Sequence, residues 1–299
     1  MIPETPFTLV NIDGLIVPAD QARVSVFDRG FLFGDSVYEV LRTVDGHPSF
    51  WAQHLSRLRA SAEHLAFDLQ TTDAALRAQV QDTLDAMPPS TAKERYIRLI
   101  VTRGKGDLTL TPTMETPPTR IVIVRALPEL PRELLEQGCV LSTYRVGHPD
   151  LTGQDPRAKS GDRRLAVLAE SHARASGAYE ALRVDASGQV LEGASSTFFC
   201  VLDGRIITPP LGVGILAGIT RAAVLELCRS EHLPVAEQAL FMGDLRRASE
   251  AFITGTVRGL LPVKQIDDLV YAAPGPKTRL VSELFALRRA SQSMDSGVR

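Results

Sequence analysis

Apolar and polar positions alternate in two registers along this chain, and the switch between them marks out the elements. Phe7 to Val17 is a run of apolar strand positions broken at Asp13-Gly14, which predicts a hairpin. Val37 to Thr43 alternates with a period of two, and Asp45-Gly46 follows as a second turn. Trp51 to Phe67 changes to helical spacing, with Leu55, Leu58, Ala62, Leu65 and Ala66 on one face. A second helix is expected from Thr72 to Met87, opened by the capping signal Thr71-Thr72-Asp73 and stopped before Pro88-Pro89. Tyr96 to Thr102 and Arg120 to Ala126 read as buried strands on either side of a Gly- and Pro-rich loop, Arg103 to Pro118. These elements predict a small α+β domain over residues 1–126, two helices against a sheet.

Leu127 to Gln137 holds Pro128 and Pro131 and no long apolar run, and reads as an interdomain linker. A larger mixed α/β domain is expected over 138–299. Its strands are Cys139 to Tyr144, several within 181–208, and Ala251 to Thr254. Helical spacing follows Lys159, recurs over 219–230, and closes the domain as an amphipathic helix from Lys277 to Ser291. A turn is expected over 244–249, and disorder from about Ser293. No internal repeat or low-complexity tract is visible. The fold class is therefore α/β in two domains.

Composition narrows the function without naming it. The 299 residues are 44% hydrophobic and 23% charged, as in a soluble globular chain. Thirty-three basic and 35 acidic residues leave a formal charge of −2, which predicts neither a nucleic-acid partner nor a membrane surface. No apolar run reaches the ~18 residues of a membrane span. The N-terminus lacks the basic and apolar regions of a signal peptide, so a cytoplasmic location is expected. Cys139, Cys200 and Cys228 are too few and scattered for a disulfide framework. Cys200, within an apolar strand, reads as a core residue. The six histidines offer no pair at metal-ligand spacing, so no metal site is expected. There is no G-x-S-x-G, no P-loop and no basic-aromatic stripe.

The stretch Asp155 to Val201 carries the candidate chemistry. Lys159 stands at its front. Glu192 stands near its end, between the hairpin LRVDASGQVLE and the apolar strand TFFCV. A lysine and a carboxylate brought together across one sheet suit pyridoxal 5'-phosphate. The amine can hold the cofactor as a Schiff base, and the carboxylate can keep the pyridine nitrogen protonated. Further on, GVGILAGITR leads into a helix over 212–221, and a helix N-terminus suits phosphate. Its glycines do not make G-x-G-x-x-G, which argues against a dinucleotide.

The order Lys159-Ser160, Val167-Leu168-Ala169, Gly177-Ala178-Tyr179-Glu180-Ala181, Gly188-Gln189-Val190-Leu191-Glu192-Gly193 and Ser195-Ser196-Thr197-Phe198-Phe199 resembles, without gaps, the fold-type IV, or class IV, aminotransferases. These include branched-chain and D-amino-acid aminotransferases and aminodeoxychorismate lyases. The resemblance runs from about Phe7 to Val263 and implies a fold like that of D-amino-acid aminotransferase. It makes Lys159 the catalytic Schiff-base lysine and Glu192 the pyridinium partner, with Ser196 and Thr197 beside the cofactor. Ile219, Thr220, Arg57 of His54-Leu55-Ser56-Arg57-Leu58, and Thr256 of Ile253-Thr254-Gly255-Thr256 would take the phosphate. Phe33 and Tyr38 of Phe33-Gly34-Asp35-Ser36-Val37-Tyr38-Glu39 would line the substrate pocket. Tyr96 and Arg98 of Tyr96-Ile97-Arg98 resemble the branched-chain subgroup.

Each residue also has a plainer reading. Lys159 is a solvated lysine, Glu192 a turn carboxylate, Arg57 a solvent-facing helix arginine, Tyr96 a core tyrosine, Thr256 a strand-end hydroxyl and 212–221 a glycine loop.

The chain departs from the pattern near the cofactor. Lys159 continues as Ser160-Gly161-Asp162-Arg163-Arg164, and Arg163 takes the place of a tyrosine, as in the lyase subgroup. Thr197 replaces an Asn. Val257 and Arg258 follow Thr256 where the family has A-A, adding a cation near the segment expected to bind a substrate carboxylate. The carboxylate trap of D-amino-acid enzymes is missing from Lys105 to Leu110. The expectation is a homodimeric transaminase with the cofactor between its domains, a branched-chain or hydrophobic amino donor and a 2-oxo acid acceptor. Rivals are aminodeoxychorismate lyase, an (R)-amine or D-amino-acid transaminase, and a cofactor-binding protein without turnover.

Overall fold

In the computed structural model, residues 7–89, 92–112, 116–147 and 156–294 are described, side chains as far as 291. The chain divides into two units. One runs to Glu129 and adds Ala158–Asp162 and the chain from Arg289; the other is Leu130–Arg157 with Arg163–Arg288.

The first unit contains β1 (Thr8–Ile12), β2 (Leu15–Pro18), α1 (Arg29–Phe33), β3 (Ser36–Val44), β4 (His47–Pro48), α2 (Trp51–His64), α3 (Asp73–Asp85), β5 (Glu94–Thr102) and β6 (Thr119–Leu127). Its six strands form an antiparallel sheet in the order β2-β1-β6-β5-β3-β4. Period-two alternation sorts the side chains. Val37, Leu41, Ile97, Leu99 and Val101 pack against Leu55, Leu58 and Ala62 of α2 and Leu76 and Val80 of α3. The intervening residues Tyr38, Tyr96 and Arg98 therefore lie on the opposite face. Buried amides fix α3 to β1: Asn11 donates to Thr83 Oγ1 at 3.0 Å and Gln79 donates to Asn11 Oδ1 at 3.0 Å.

Two local details differ from the sequence reading. α2 ends at His64 rather than Phe67, because Ala66 adopts a left-handed φ of 48° and turns Phe67 back into the core. A third helix, α1, is present. It is five residues long, too short to show a period, and is set by a cap: the buried Asp28 accepts from Gly30 N (2.8 Å), Thr102 Oγ1 (2.8 Å) and Thr119 Oγ1 (3.0 Å).

The second unit contains α4 (Arg132–Gln137), β7 (Cys139–Arg145), α5 (Arg164–Ala175), β8 (Glu180–Val184), β9 (Val190–Gly193), β10 (Thr197–Leu202), β11 (Arg205–Thr208), α6 (Ile219–Ser230), β12 (Val235–Glu237), α7 (Met242–Leu245), β13 (Glu250–Gly255), β14 (Gly259–Ile266), β15 (Leu269–Val270) and α8 (Pro276–Met294). The sheet runs β12-β11-β10-β13-β14-β7-β8-β9, with β15 against β14. β7 is parallel to both β8 and β14, and β11 to β12; the remaining pairs are antiparallel. Phe198, Cys200, Leu182, Ile253 and Val263 build the core, and Phe199 stacks on Phe252 at 4.9 Å.

Part of the expected linker is ordered structure: Pro131 sets the N-terminus of α4, whose six residues lack an apolar period. α7 begins two residues ahead of the expected turn. α8 continues through Met294, past the point where disorder was expected; residues 295–299 and Asp155 lie outside the described residues. Buried Glu250 begins α8 by accepting from Lys277 N (3.1 Å), Thr278 N (2.8 Å) and Thr278 Oγ1 (2.8 Å). No helix of the described residues is long and apolar enough to cross a membrane.

Candidate active site

Lys159 is not on a helix. The helix expected to follow it starts only at Arg164, and Ser160 instead bridges to Val37 of β3. Its backbone is held on both sides. Lys159 N donates to Ser61 Oγ of α2 (3.0 Å), Tyr38 N donates to Lys159 O (3.0 Å), and Gly161 N donates to Ser36 O (2.8 Å). Gly161, one of the departures from the family pattern, has a steric reason here. A Cβ at 161 would stand 2.2 Å from Ser36 Oγ and 3.1 Å from Gly34 O. The ammonium of Lys159 lies 4.7 Å from the centre of the Tyr38 ring, and Arg98 lies over the same ring at 4.2 Å. The lysine is half-buried, so the solvated-lysine reading does not hold. Lys159 and Glu192 do not share one sheet: Lys159 counts with the first unit, and Glu192 is on β9 of the second unit's sheet.

Beneath Tyr38, on the helix side of β3, lies a buried charged group. Arg57 donates from Nε to Glu39 Oε1 and from Nη2 to Glu39 Oε2, both at 2.7 Å. His54 Nδ1 is 2.7 Å from Oε2. Arg57 is thus turned inward, not toward solvent as periodicity suggested, with 11% of its side chain exposed. Burial pushes the Glu39 carboxyl up, but His54 and the Arg57 fork outweigh it and bring it to about 2. Burial lowers His54, and Glu39 offsets only part of that. His54 Nε2 is buried with no partner among the described residues. Phe33 is exposed at the end of α1, with Arg29 at 4.8 Å from its ring. Tyr96 is half-buried beside Arg125 (4.8 Å), so it is not a core tyrosine.

In the second unit, a bulge sets the direction of Glu192. Leu182 pairs with Gly193 and Val184 with Val190, so β9 carries one residue more than β8 across that interval. Glu192 Oε1 accepts from Arg183 Nη2 and, at 3.4 Å, from Leu216 N. Leu216 belongs to the loop that leads into α6. Gly218 caps that helix without any side-chain hydrogen bond, and Ile219 and Thr220 begin it, both buried. A Cβ at 218 would stand 2.8 Å from Thr197 Oγ1, so the glycine keeps a small concavity beside Thr197. Thr197 pairs with Thr254, whose buried hydroxyl has no partner among the described residues. Thr256, Val257 and Arg258 form the turn between β13 and β14 and are half-buried. Uncapped amides, an unpartnered hydroxyl and a space that a methyl group would fill are what a phosphate needs, so these residues fit the cofactor.

Arg258 and Arg163 are both engaged within the unit. Arg258 pairs through Nη1 with Glu180 Oε2 and donates from Nη2 to Ser195 Oγ at 2.9 Å. Burial draws its pKa down, the Glu180 carboxylate more than compensates, and it ends raised. Glu180 Oε1 also accepts from Ser195 N (2.6 Å), Ser195 Oγ (3.1 Å) and Ser196 Oγ (3.0 Å). Arg163 donates to Ala194 O at 2.8 Å.

Residues 36–266 match the family model for amino-transferase class IV. The chain belongs to the class IV aminotransferases. Enzymes of this family work with pyridoxal 5'-phosphate, and this aminotransferase has their fold. It is 38% identical over 261 residues to a Methanocaldococcus jannaschii protein provisionally named a branched-chain-amino-acid aminotransferase, covering 87% of this chain and 88% of the relative. The solved branched-chain aminotransferase of Thermoproteus uzoniensis with norvaline superposes with a TM-score of 0.85, 27% identity and 95% of both chains. The 4-amino-4-deoxychorismate lyase of Pseudomonas aeruginosa gives a TM-score of 0.81 and 30% identity, with 94% of this chain and 100% of that one covered.

Sequence reasoning missed three charged residues of this aminotransferase: Glu39, Glu180 and Arg183. Glu39 and Glu180 stood inside quoted motifs without a role. Strand alternation was the available signal, since it puts Glu39 on the helix face with Val37 and Leu41, where a carboxylate needs a partner.

Proposed function

We propose that this enzyme transaminates branched-chain or other hydrophobic amino acids with a 2-oxo acid as acceptor. The observation that carries this reading is the tethered seat of Lys159 against Tyr38, with both flanking peptides hydrogen-bonded. Pyridoxal 5'-phosphate, when bound, supplies an electron sink for the charge left when the donor's α-proton departs. Lys159 would hold the cofactor, and its Nζ would carry that proton. Glu192 would pair with the ring nitrogen. The N-terminus of α6 at Ile219 and Thr220, with Thr256, binds the phosphate, and Ser196 and Thr197 border it. Arg57, its orientation fixed by the Glu39 fork, would offer a cation to a phosphate. Arg163 and Val257 border the cofactor and the substrate. Phe33, Tyr38, Tyr96 and Arg98 form the donor pocket. Arg258, charge-paired with Glu180, is the cation beside the segment proposed to bind the substrate carboxylate.

The test is a half-reaction. Visible cofactor absorbance should fall with L-leucine and return with 2-oxoglutarate, and Lys159→Ala should abolish both changes. A protein that holds cofactor without either change would be a silent binder. The lyase reading is kept because Arg163 stands where the lyase subgroup has its arginine, and because a solved lyase matches nearly the whole chain. Release of 4-aminobenzoate from aminodeoxychorismate would establish it. Turnover of (R)-1-phenylethylamine or of D-alanine in place of L-leucine would reassign the donor. The family's homodimer is part of the proposal, and sedimentation equilibrium at about twice the chain mass would support it.

A further inference from the structure

Glu192 has a cationic neighbour that no motif accounts for. Arg183, on the adjacent strand β8, donates from Nη2 to Glu192 Oε1. The two side chains are only 16% and 11% exposed, so this is not a solvated surface pair. Arg183 Nε is buried with no partner among the described residues. A guanidinium that leaves one donor unsatisfied in order to meet a carboxylate costs stability, and a purely structural pair would use both edges of the fork. Alternation gives the geometry its reason. Leu182 and Val184 are buried in the core, Arg183 between them points to the other face, and the β9 bulge brings Glu192 beside it.

We propose that Arg183 is a positioning and tuning residue for the cofactor's ring nitrogen. This rests on the reading of Glu192 as the partner of that nitrogen. Arg183 fixes Oε1 of Glu192, so the carboxylate meets the ring from a set direction. It also divides the carboxylate's negative charge between a guanidinium and the ring N–H. The ring nitrogen is consequently held protonated less firmly than it would be by the same carboxylate without the arginine.

The experiment uses holoenzyme loaded with ¹⁵N-labelled cofactor and follows the ring-nitrogen chemical shift against pH. Arg183→Met should raise the protonation midpoint by about one pH unit, about tenfold in proton affinity. Arg183→Lys, which keeps a cation, should stay near the parent value and serves as the folding control. Equal midpoints in parent and Arg183→Met, with only a loss of cofactor affinity or of Tm, would overturn the proposal and leave Arg183 a structural residue. So would a midpoint for Arg183→Lys that follows the methionine variant. Glu192→Gln separates this from the underlying assignment: a ring signal indifferent to Glu192→Gln means that Glu192 is not the ring partner at all.

Discussion

At Glu39 a single carboxylate joins a helix to a strand, and its behaviour in acid follows from its neighbours. Its folded value, about 2, lies below the ordinary 4.5. A depressed carboxyl contributes stability that is present above the unfolded value and is lost as pH falls through the folded one. The window is therefore about pH 4.5 down to about pH 2, and the contribution is on the order of 3 kcal/mol. His54, also depressed, adds a loss that begins as pH falls below its ordinary 6.5. Urea unfolding across this range should show both declines in the parent, and Glu39→Gln should lose the lower one while being less stable at neutral pH. Gly193 is a steric counterpart. A Cβ there would stand 2.1 Å from Ser196 Oγ and 2.6 Å from Glu180 Oε1. Gly193→Ala should cost about 2 kcal/mol by overpacking, measurable as a lower denaturation midpoint.

Among the elements, α1 depends most on one side chain. Asp28→Ala would leave two threonine hydroxyls and the Gly30 amide without their acceptor. About 2 kcal/mol of stability should be lost. Under the proposed role of Phe33 in the donor pocket, the KM for a hydrophobic donor should rise more than kcat falls. Legibility also differed by element. β3, β5, α2 and α3 were visible in the sequence because each repeats its apolar period often enough to be counted. α1 and α4, at five and six residues, do not complete two turns. The period of α5 is legible downstream of Lys159, but the seat of the lysine depends on Ser36, Tyr38 and Ser61, about a hundred residues upstream. The site residues taken from motifs came with their types but not their partners. Arg258 and Glu180 are 78 positions apart, and no local pattern announces such a pair.

For the second unit as a whole, the thiols report on its interior. Cys139, Cys200 and Cys228 are buried. Burial pushes them up to about 12, about 12 and about 11 respectively. At pH about 8 none should react with Ellman's reagent in the native protein, and all three should react in urea. A thiol that reacted natively would show that part of the second unit opens readily. Finally, the short run Ala158–Asp162 belongs to the first unit while its neighbours on both sides belong to the second. A gene cut between Glu129 and Leu130 would therefore leave Lys159 on the downstream fragment and Ser36, Tyr38 and Ser61 on the upstream one. The two halves cannot be shuffled as independent cassettes: co-expressed fragments would regain activity only by threading that five-residue loan back into its lender, and a donor half from a relative would have to match its recipient there first.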